Sequence, residues 1–216
     1  MNELDKHGIQ RAYDAAATEY AARLFHELDG KPIDRKLLDL FAERVIPLGR
    51  VCEIGCGPGE VAHYLHQCGV DILGIDLSPN MIAEARRLSP EIDFRQGDVC
   101  ALPFADNSLA GIVGLYLIVN FRTDDLSKAF DEIFRVLMPE GVLLLAFHIG
   151  TEIVHLDEFF GQKVPIDFVL FEVDEIVDLL KETGFEVQEV LIRRPYPQDI
   201  EAQAYLFTRK PAPLLT

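Results

Sequence analysis

Nine consecutive residues, Val51-Cys52-Glu53-Ile54-Gly55-Cys56-Gly57-Pro58-Gly59, constrain the fold of this chain more than any other stretch. Val51–Ile54 is short and largely apolar, which reads as a buried strand. It runs into three glycines at alternate positions. Residues 60–68 then return to helical spacing and stop at Gly69. Glycine permits the tight turn and lets a ligand approach the backbone where a side chain would block it. The helix that follows turns unpaired amides toward the same point. A strand that enters a helix this way opens a parallel α/β sheet, because each parallel pair needs a covering crossover.

The rest of the chain continues the pattern. Residues 71–75 form a second strand, and Ser78 caps a helix with Pro79 at its first position and Met81, Ile82, Ala85 and Leu88 on its inner face. Further strands are read at 92–95, 109–115, 142–147, 185–192 and 202–208, with helices at 126–137 and 174–183. The last two strands are joined without a helical pattern and are expected to pair antiparallel at the edge. The expected fold is a single α/β domain, Rossmann-like and doubly wound, with a mostly parallel seven-stranded sheet. Ahead of it, residues 13–28 and 35–45 have helical spacing, separated by the turn signal Asp29-Gly30-Lys31-Pro32. Residues 1–48 are therefore expected as a helical lid, 50–148 as the ligand-binding core and 172–216 as a carboxyl-terminal helix with edge strands. Residues 149–171 break the alternation as an insertion with an extra strand, where sheets of this kind recognise ligands.

Charge narrows the partners. Twenty Lys+Arg against 36 Asp+Glu give a formal net charge of -16. A field of that sign repels phosphate backbones and anionic lipid, and no basic run offsets it. No nucleic-acid or membrane partner is expected. The polar start, residues 1–10, does not resemble a secretion signal, and the longest apolar run, 109–119, is too short for a bilayer. Cys52, Cys56, Cys68 and Cys100 lack metal-ligand spacing and read as reduced thiols of a cytoplasmic protein. No metal is expected.

Two acids follow the glycines in phase. Asp76 ends the second strand about 20 residues later, where a carboxylate can accept from ribose hydroxyls. Asp98 follows the third strand in Gln96-Gly97-Asp98-Val99, placed to accept from an adenine amine. A dinucleotide site would read Gly-x-Gly-x-x-Gly. Here the spacing is Gly-x-Gly-x-Gly with Glu53 ahead of it, which speaks against an NAD-type oxidoreductase.

At this point the chain resembles the class I S-adenosylmethionine-dependent methyltransferases, small-molecule type. Glu53-Ile54-Gly55-Cys56-Gly57-Pro58-Gly59 is similar to the family's glycine motif. The likeness continues in Gly74-Ile75-Asp76-Leu77-Ser78-Pro79-Asn80-Met81, Gly97-Asp98-Val99, Leu102-Pro103-Phe104-Ala105-Asp106-Asn107-Ser108 and Arg135-Val136-Leu137-Met138-Pro139-Glu140-Gly141-Val142. Tyr13-Asp14-Ala15-Ala16-Ala17-Thr18-Glu19-Tyr20-Ala21 resembles an amino-terminal lid. The resemblance implies S-adenosylmethionine as cofactor and a small molecule as methyl acceptor through an O, N or C nucleophile. Gly55, Cys56 and Gly57 would line the methionine part by backbone, with Glu53 ordering the turn or the amino group. Asp76 would hold the ribose and Leu77 and Met81 would pack on adenine. Asp98 and Val99 would meet the adenine edge, and Leu115 and Tyr116 would border the sulfonium. Tyr13, Tyr20 and Arg23 would close over the carboxylate. The chain departs from many relatives at Leu109-Ala110, where they have Phe-Asp, and at Asn120, where they carry a histidine.

On the acceptor side, Asn120, His148 and His155 are expected to face a substrate pocket. No residue is singled out as catalytic. Phe159, Phe160, Phe168 and Phe171 read as core of the insertion or as an apolar pocket wall. A non-catalytic cofactor-binding protein on the same fold stands as the second alternative to methyl transfer.

Overall fold

The computed structural model describes residues 6–196 and 201–213. Helix α1 (Lys6–Leu24) is followed by a 3-10 turn at Glu27–Gly30 and by α2 (Pro32–Val45), with proline in its first turn. Strands and helices then alternate through β1 (Val51–Ile54), α3 (Glu60–Gln67), β2 (Ile72–Asp76), α4 (Pro79–Leu88) and β3 (Asp93–Gln96). Next come β4 (Leu109–Leu115), a 3-10 turn at Leu117–Asn120, α5 (Thr123–Val136) and β5 (Leu137–His148). The chain closes with β6 (Ile153–Leu156), β7 (Ile166–Val169), α6 (Val173–Thr183), β8 (Glu186–Arg193) and β9 (Gln203–Arg209).

Seven strands form one sheet in the order β3-β2-β1-β4-β5-β9-β8. The first five pair in parallel, and β9 lies antiparallel to both β5 and β8. After β3 the chain crosses back to pair β4 on the free side of β1, so the crossovers diverge there. The carboxyl ends of β1 and β4 flank the resulting crevice.

Alternation along the central strands divides the core into two layers. Ile112, Leu143, Leu145 and Phe147 pack with Leu126, Phe130 and Ile133 of α5 and with Ile176 and Leu180 of α6. Val113, Leu144 and Ala146 face the other way, against Leu38, Phe41 and Val45 of α2, Val61 and Leu65 of α3 and Ile82 of α4. This second layer corrects the expectation of a lid over residues 1–48. A Cβ on Gly111 would lie 2.7 Å from Val45 Cγ1 and 3.0 Å from Phe41 Cζ, so α2 packs directly onto the sheet. Of the described residues before β1, α1 lies across the crevice, with Glu27 and Lys31 also in its wall.

Two other boundaries differ from the sequence reading. Strand β5 starts at Leu137, directly after α5, because Leu137 already pairs with Leu109 before the register shifts to Val142 opposite Gly111. The insertion forms two short strands, since β6 and β7 pair antiparallel. Phe159 and Ile166 of this segment pack on Ala12 and Ala16 of α1.

Candidate active site

The glycine turn is held at both ends. Gly55 and Cys56 both donate their amides to Ile75 O, at 2.8 and 3.0 Å. Gly55 has φ +68°, and a Cβ there would fall 2.9 Å from Leu117 Cδ1. Gly59, at φ +83°, shows why the third glycine is needed: a Cβ would come 2.5 Å from the buried Phe94 ring. That position is close helix-to-sheet packing, whereas Gly55 and Gly57 line the crevice.

Asp76 closes the turn from β2. Its Oδ2 accepts from Gly57 N and its Oδ1 from Ser78 N, both at 2.8 Å. Burial pushes its carboxyl up to about 6, against the pull of those amides. Glu53 is buried and lies outside the cavity. Its Oε2 accepts from Ala62 N at 2.7 Å in the first turn of α3, and burial drives its pKa well up. Glu53 thereby ties β1 to the first turn of α3. Cys56 also points away from the cavity, its Sγ lying 2.9 Å from where a Gly74 Cβ would be.

Beyond β3, Asp98 and Val99 line the cavity with Leu77 and Met81. Asp98 already has partners: Lys6 Nζ at 2.6 Å and Cys100 N at 2.9 Å. Although burial works the other way, these donors hold its carboxyl below the usual range.

The opposite wall is built from side chains. Tyr116, the residue after β4, has φ +58°, a conformation uncommon outside glycine. Its ring stacks on His148 with centroids 4.8 Å apart, and its hydroxyl donates to Gln203 Oε1 at 2.5 Å. Burial raises its pKa, so the hydroxyl stays protonated as that donor. Phe159 and Phe160 from the insertion meet Tyr13 and Tyr20 of α1, with Tyr20 and Phe160 rings 4.8 Å apart, and Phe168 packs on Phe159. Asn120 joins three segments: it accepts from Tyr13 Oη at 2.9 Å and donates to Asp167 O at 2.8 Å. Asp14 adds a second tie, accepting from Ser78 Oγ at 2.6 Å and from Asn80 N at 3.2 Å.

These walls enclose a cavity of about 520 Å³, in the range of small-molecule sites. It gathers Tyr13, Tyr20, Gly55, Gly57, Asp76, Leu77, Met81, Asp98, Val99, Leu115, Tyr116, Asn120 and His148. His155 is a correction. It sits exposed on β6, bonded to Asp167 Oδ1 at 2.6 Å, because strand alternation turns it away from its neighbours Val154 and Leu156, which line the cavity. Arg23 pairs with Glu19 on the exposed side of α1. The buried cation in the wall is Lys31, 2.7 Å from Glu27 and 5.5 Å from the Tyr116 ring centroid. Sequence reading missed Lys31 because it lies inside a turn signal. Gln203 was missed because a glutamine at a strand start has no distinguishing context. Among the described residues, no group of three or more His, Cys, Asp or Glu side chains is arranged to hold a metal, and no helix is long and apolar enough to cross a membrane.

Strand order and the crevice at the switch point define a Rossmann-like α/β protein. Residues 51–141 match a family model described as a methyltransferase domain. The chain is 34% identical over 143 residues to a malonyl-acyl-carrier-protein O-methyltransferase of Enterobacter lignolyticus, covering 66% of this chain and 54% of that protein. It thus spans about half the length of the curated relatives it matches. The solved magnesium protoporphyrin IX methyltransferase of Synechocystis PCC 6803 has a TM-score of 0.72 at 16% identity, covering 97% of this chain and 98% of that one. The cyclase SpnF has a TM-score of 0.66 at 20% identity, over 83% of this chain and 82% of its own. Over residues 51–141 the chain is therefore similar to methyltransferase domains, on a fold it shares with solved methyltransferases.

Proposed function

We propose that the protein binds S-adenosylmethionine and transfers its methyl group to a small, largely apolar molecule. Asp76 carries the reading: two backbone amides fix its carboxylate beside the glycine turn, at the wall of the cavity. In this reading Asp76 takes the ribose hydroxyls, and Gly55 and Gly57 admit the methionine part to the backbone. Leu77 and Met81 flank the adenine, with Asp98 and Val99 at its edge. Leu115 and Tyr116 border the reacting end, Tyr13 and Tyr20 cover it, and Asn120 and His148 face the acceptor. The cofactor supplies a methyl group already activated on a sulfonium.

What the chain must add is alignment and exclusion of water, which together are worth several kcal/mol without a catalytic side chain. Tyr13, Tyr20, Phe159 and Phe160 form an apolar roof suited to both tasks, and the bonds of Asn120 and Asp14 keep it shut. A proton-bearing acceptor would gain a further 10²- to 10⁴-fold, in order of magnitude, from a base. His148 is the imidazole in the wall that can provide one.

A cytoplasmic location belongs to the same proposal, supported by four unpaired cysteines. The net charge of -16 favours small molecules over nucleic acid as partners. Because a cyclase shares the fold, the test must read methyl transfer itself. Incubation with S-adenosylmethionine and a panel of small aromatic and aliphatic acids, phenols and amines should yield a singly methylated product by mass spectrometry. Cofactor binding with no methylated product across the panel would favour a non-transferring role.

A further inference from the structure

Behind the acceptor wall lies a buried polar group that the cofactor reading does not use. Asp34 of α2 and Arg193 of β8 are 1% and 3% exposed, with Arg193 Nε 3.5 Å from Asp34 Oδ2. Tyr205 of β9 donates to Asp34 Oδ1 at 2.6 Å and receives Arg193 Nε at 3.2 Å. All of this converges on Gln203, itself 1% exposed and part of the cavity wall.

Two donors point at one atom of Gln203. Its Oε1 accepts from an Arg193 guanidinium nitrogen and from Tyr116 Oη at 2.5 Å, while the Tyr205 proton goes to Asp34. That set fixes which end of the amide is which, since the opposite flip would press an NH₂ group against a guanidinium. That leaves Nε2, on a side chain that lines the cavity, with no hydrogen-bond acceptor shown among the described residues. An amide N–H on a cavity-lining side chain with no protein acceptor is open to a ligand oxygen. The formal charges nearby cancel in pairs, Arg193 with Asp34 and Lys31 with Glu27, while Glu201 is exposed at the rim. The amide dipole therefore decides the polarity of this part of the wall.

Resting on the methyltransferase reading, we propose that Gln203 sets acceptor specificity by donating Nε2–H to a carbonyl or carboxylate oxygen on an apolar, ring-bearing acceptor. The ring lies under Phe159, Phe160 and Phe168, and the oxygen sits beside Tyr116 and His148 at the ends of β4 and β5. Amines, which bring a donor to a donor, are rejected.

The test uses the full chain, with and without S-adenosylhomocysteine, and two probes of one shape, 2-naphthoate and 2-naphthylmethylamine, titrated by calorimetry. A hydrogen bond to a charged oxygen predicts about 10- to 100-fold tighter binding of the naphthoate. Gln203→Glu keeps an oxygen for Arg193 and Tyr116 but turns a second one to the cavity. It should abolish or invert that preference while shifting S-adenosylhomocysteine affinity by less than about 2-fold. The wild type alone gives an independent reading: 2-ethylnaphthalene, lacking the oxygen, should bind about 10-fold more weakly than the naphthoate. Equal or tighter binding of the amine, no measurable naphthoate binding, or an unchanged preference in Gln203→Glu overturns the assignment. Failure of S-adenosylhomocysteine to bind, with the naphthoate preference intact, strikes the cofactor reading and leaves Gln203 standing.

Discussion

At the carboxyl ends of β1 and β2 the cavity wall is built around the glycine turn and the backbone amides that hold Asp76, while at the ends of β4 and β5 and the start of β9 it is built from side chains. Gly55, Gly57 and the amides that pin Asp76 lie within 24 residues of sequence, from Gly55 to Ser78. The second wall draws Tyr13 and Tyr20 from α1, Tyr116 and Asn120 from the turn after β4, Phe159 and Phe168 from the insertion and Gln203 from β9. A site made of backbone must be written locally, because the turn that exposes an amide is set by adjacent residues. One made of side chains can be assembled from any segment the sheet brings to the same edge. The first construction suits a constant ligand and the second an acceptor that differs between relatives.

Perturbations should separate the two walls, and the largest effect belongs to the second. Arg193→Met leaves Asp34 buried without its cation and should cost about 3–5 kcal/mol in urea unfolding. A loss below about 1 kcal/mol would mean that the pair is solvated in the native state. In the first wall, Gly59→Ala meets both a positive φ and the Phe94 ring and should cost about 2–4 kcal/mol by the same assay. Wild-type stability in that variant would show the turn to be softer than its geometry. Asn120→Ala removes both ties to Tyr13 and Asp167. We expect about 1–2 kcal/mol less protection of α1 amides in hydrogen exchange, with the β1 to β3 strands unchanged.

The smallest effect is electrostatic and lies in the first wall. Glu60, which accepts from Leu28 N at 2.8 Å, is raised by burial and by the charge of Glu27 from 4.5 to about 8. Asp76 is raised by burial from 3.8 to about 6. An acid that binds its proton more tightly when folded loses stability as pH rises from its unfolded toward its folded value. Acidification of the ligand-free protein from about pH 8 to about pH 5 should therefore stabilise it by on the order of 1 kcal/mol, or about 2–4 °C in Tm. A Tm that falls over that window would show both carboxylates ionised and solvated.

The same contrast explains what the sequence made legible. Strand β1 and the helix cap at Ser78 were readable from local chemistry, because a strand entering glycines and a Ser-Pro helix start have few alternatives. The amino-terminal lid was readable only in part. Helical spacing identified α2, but nothing local says that Phe41 and Val45 face Gly111 and the sheet, 66 to 70 residues away by sequence position. His155 illustrates the limit from the other side. Its place in the insertion was right, yet the pairing of β6 with β7 decides which face it takes, and one residue of alternation puts it outside. Lys31 and Gln203 have meaning only through partners 4 to 87 positions distant.

The central claim is that the glycine turn and Asp76 form a site for S-adenosylmethionine. Calorimetric titration with S-adenosylmethionine, S-adenosylhomocysteine and NAD in parallel tests it most directly. We predict that the first two bind with Kd on the order of micromolar, that NAD does not, and that Asp76→Ala weakens the first two by about 10- to 100-fold. Binding of NAD alone, or S-adenosylmethionine binding that is indifferent to Asp76→Ala, would contradict it.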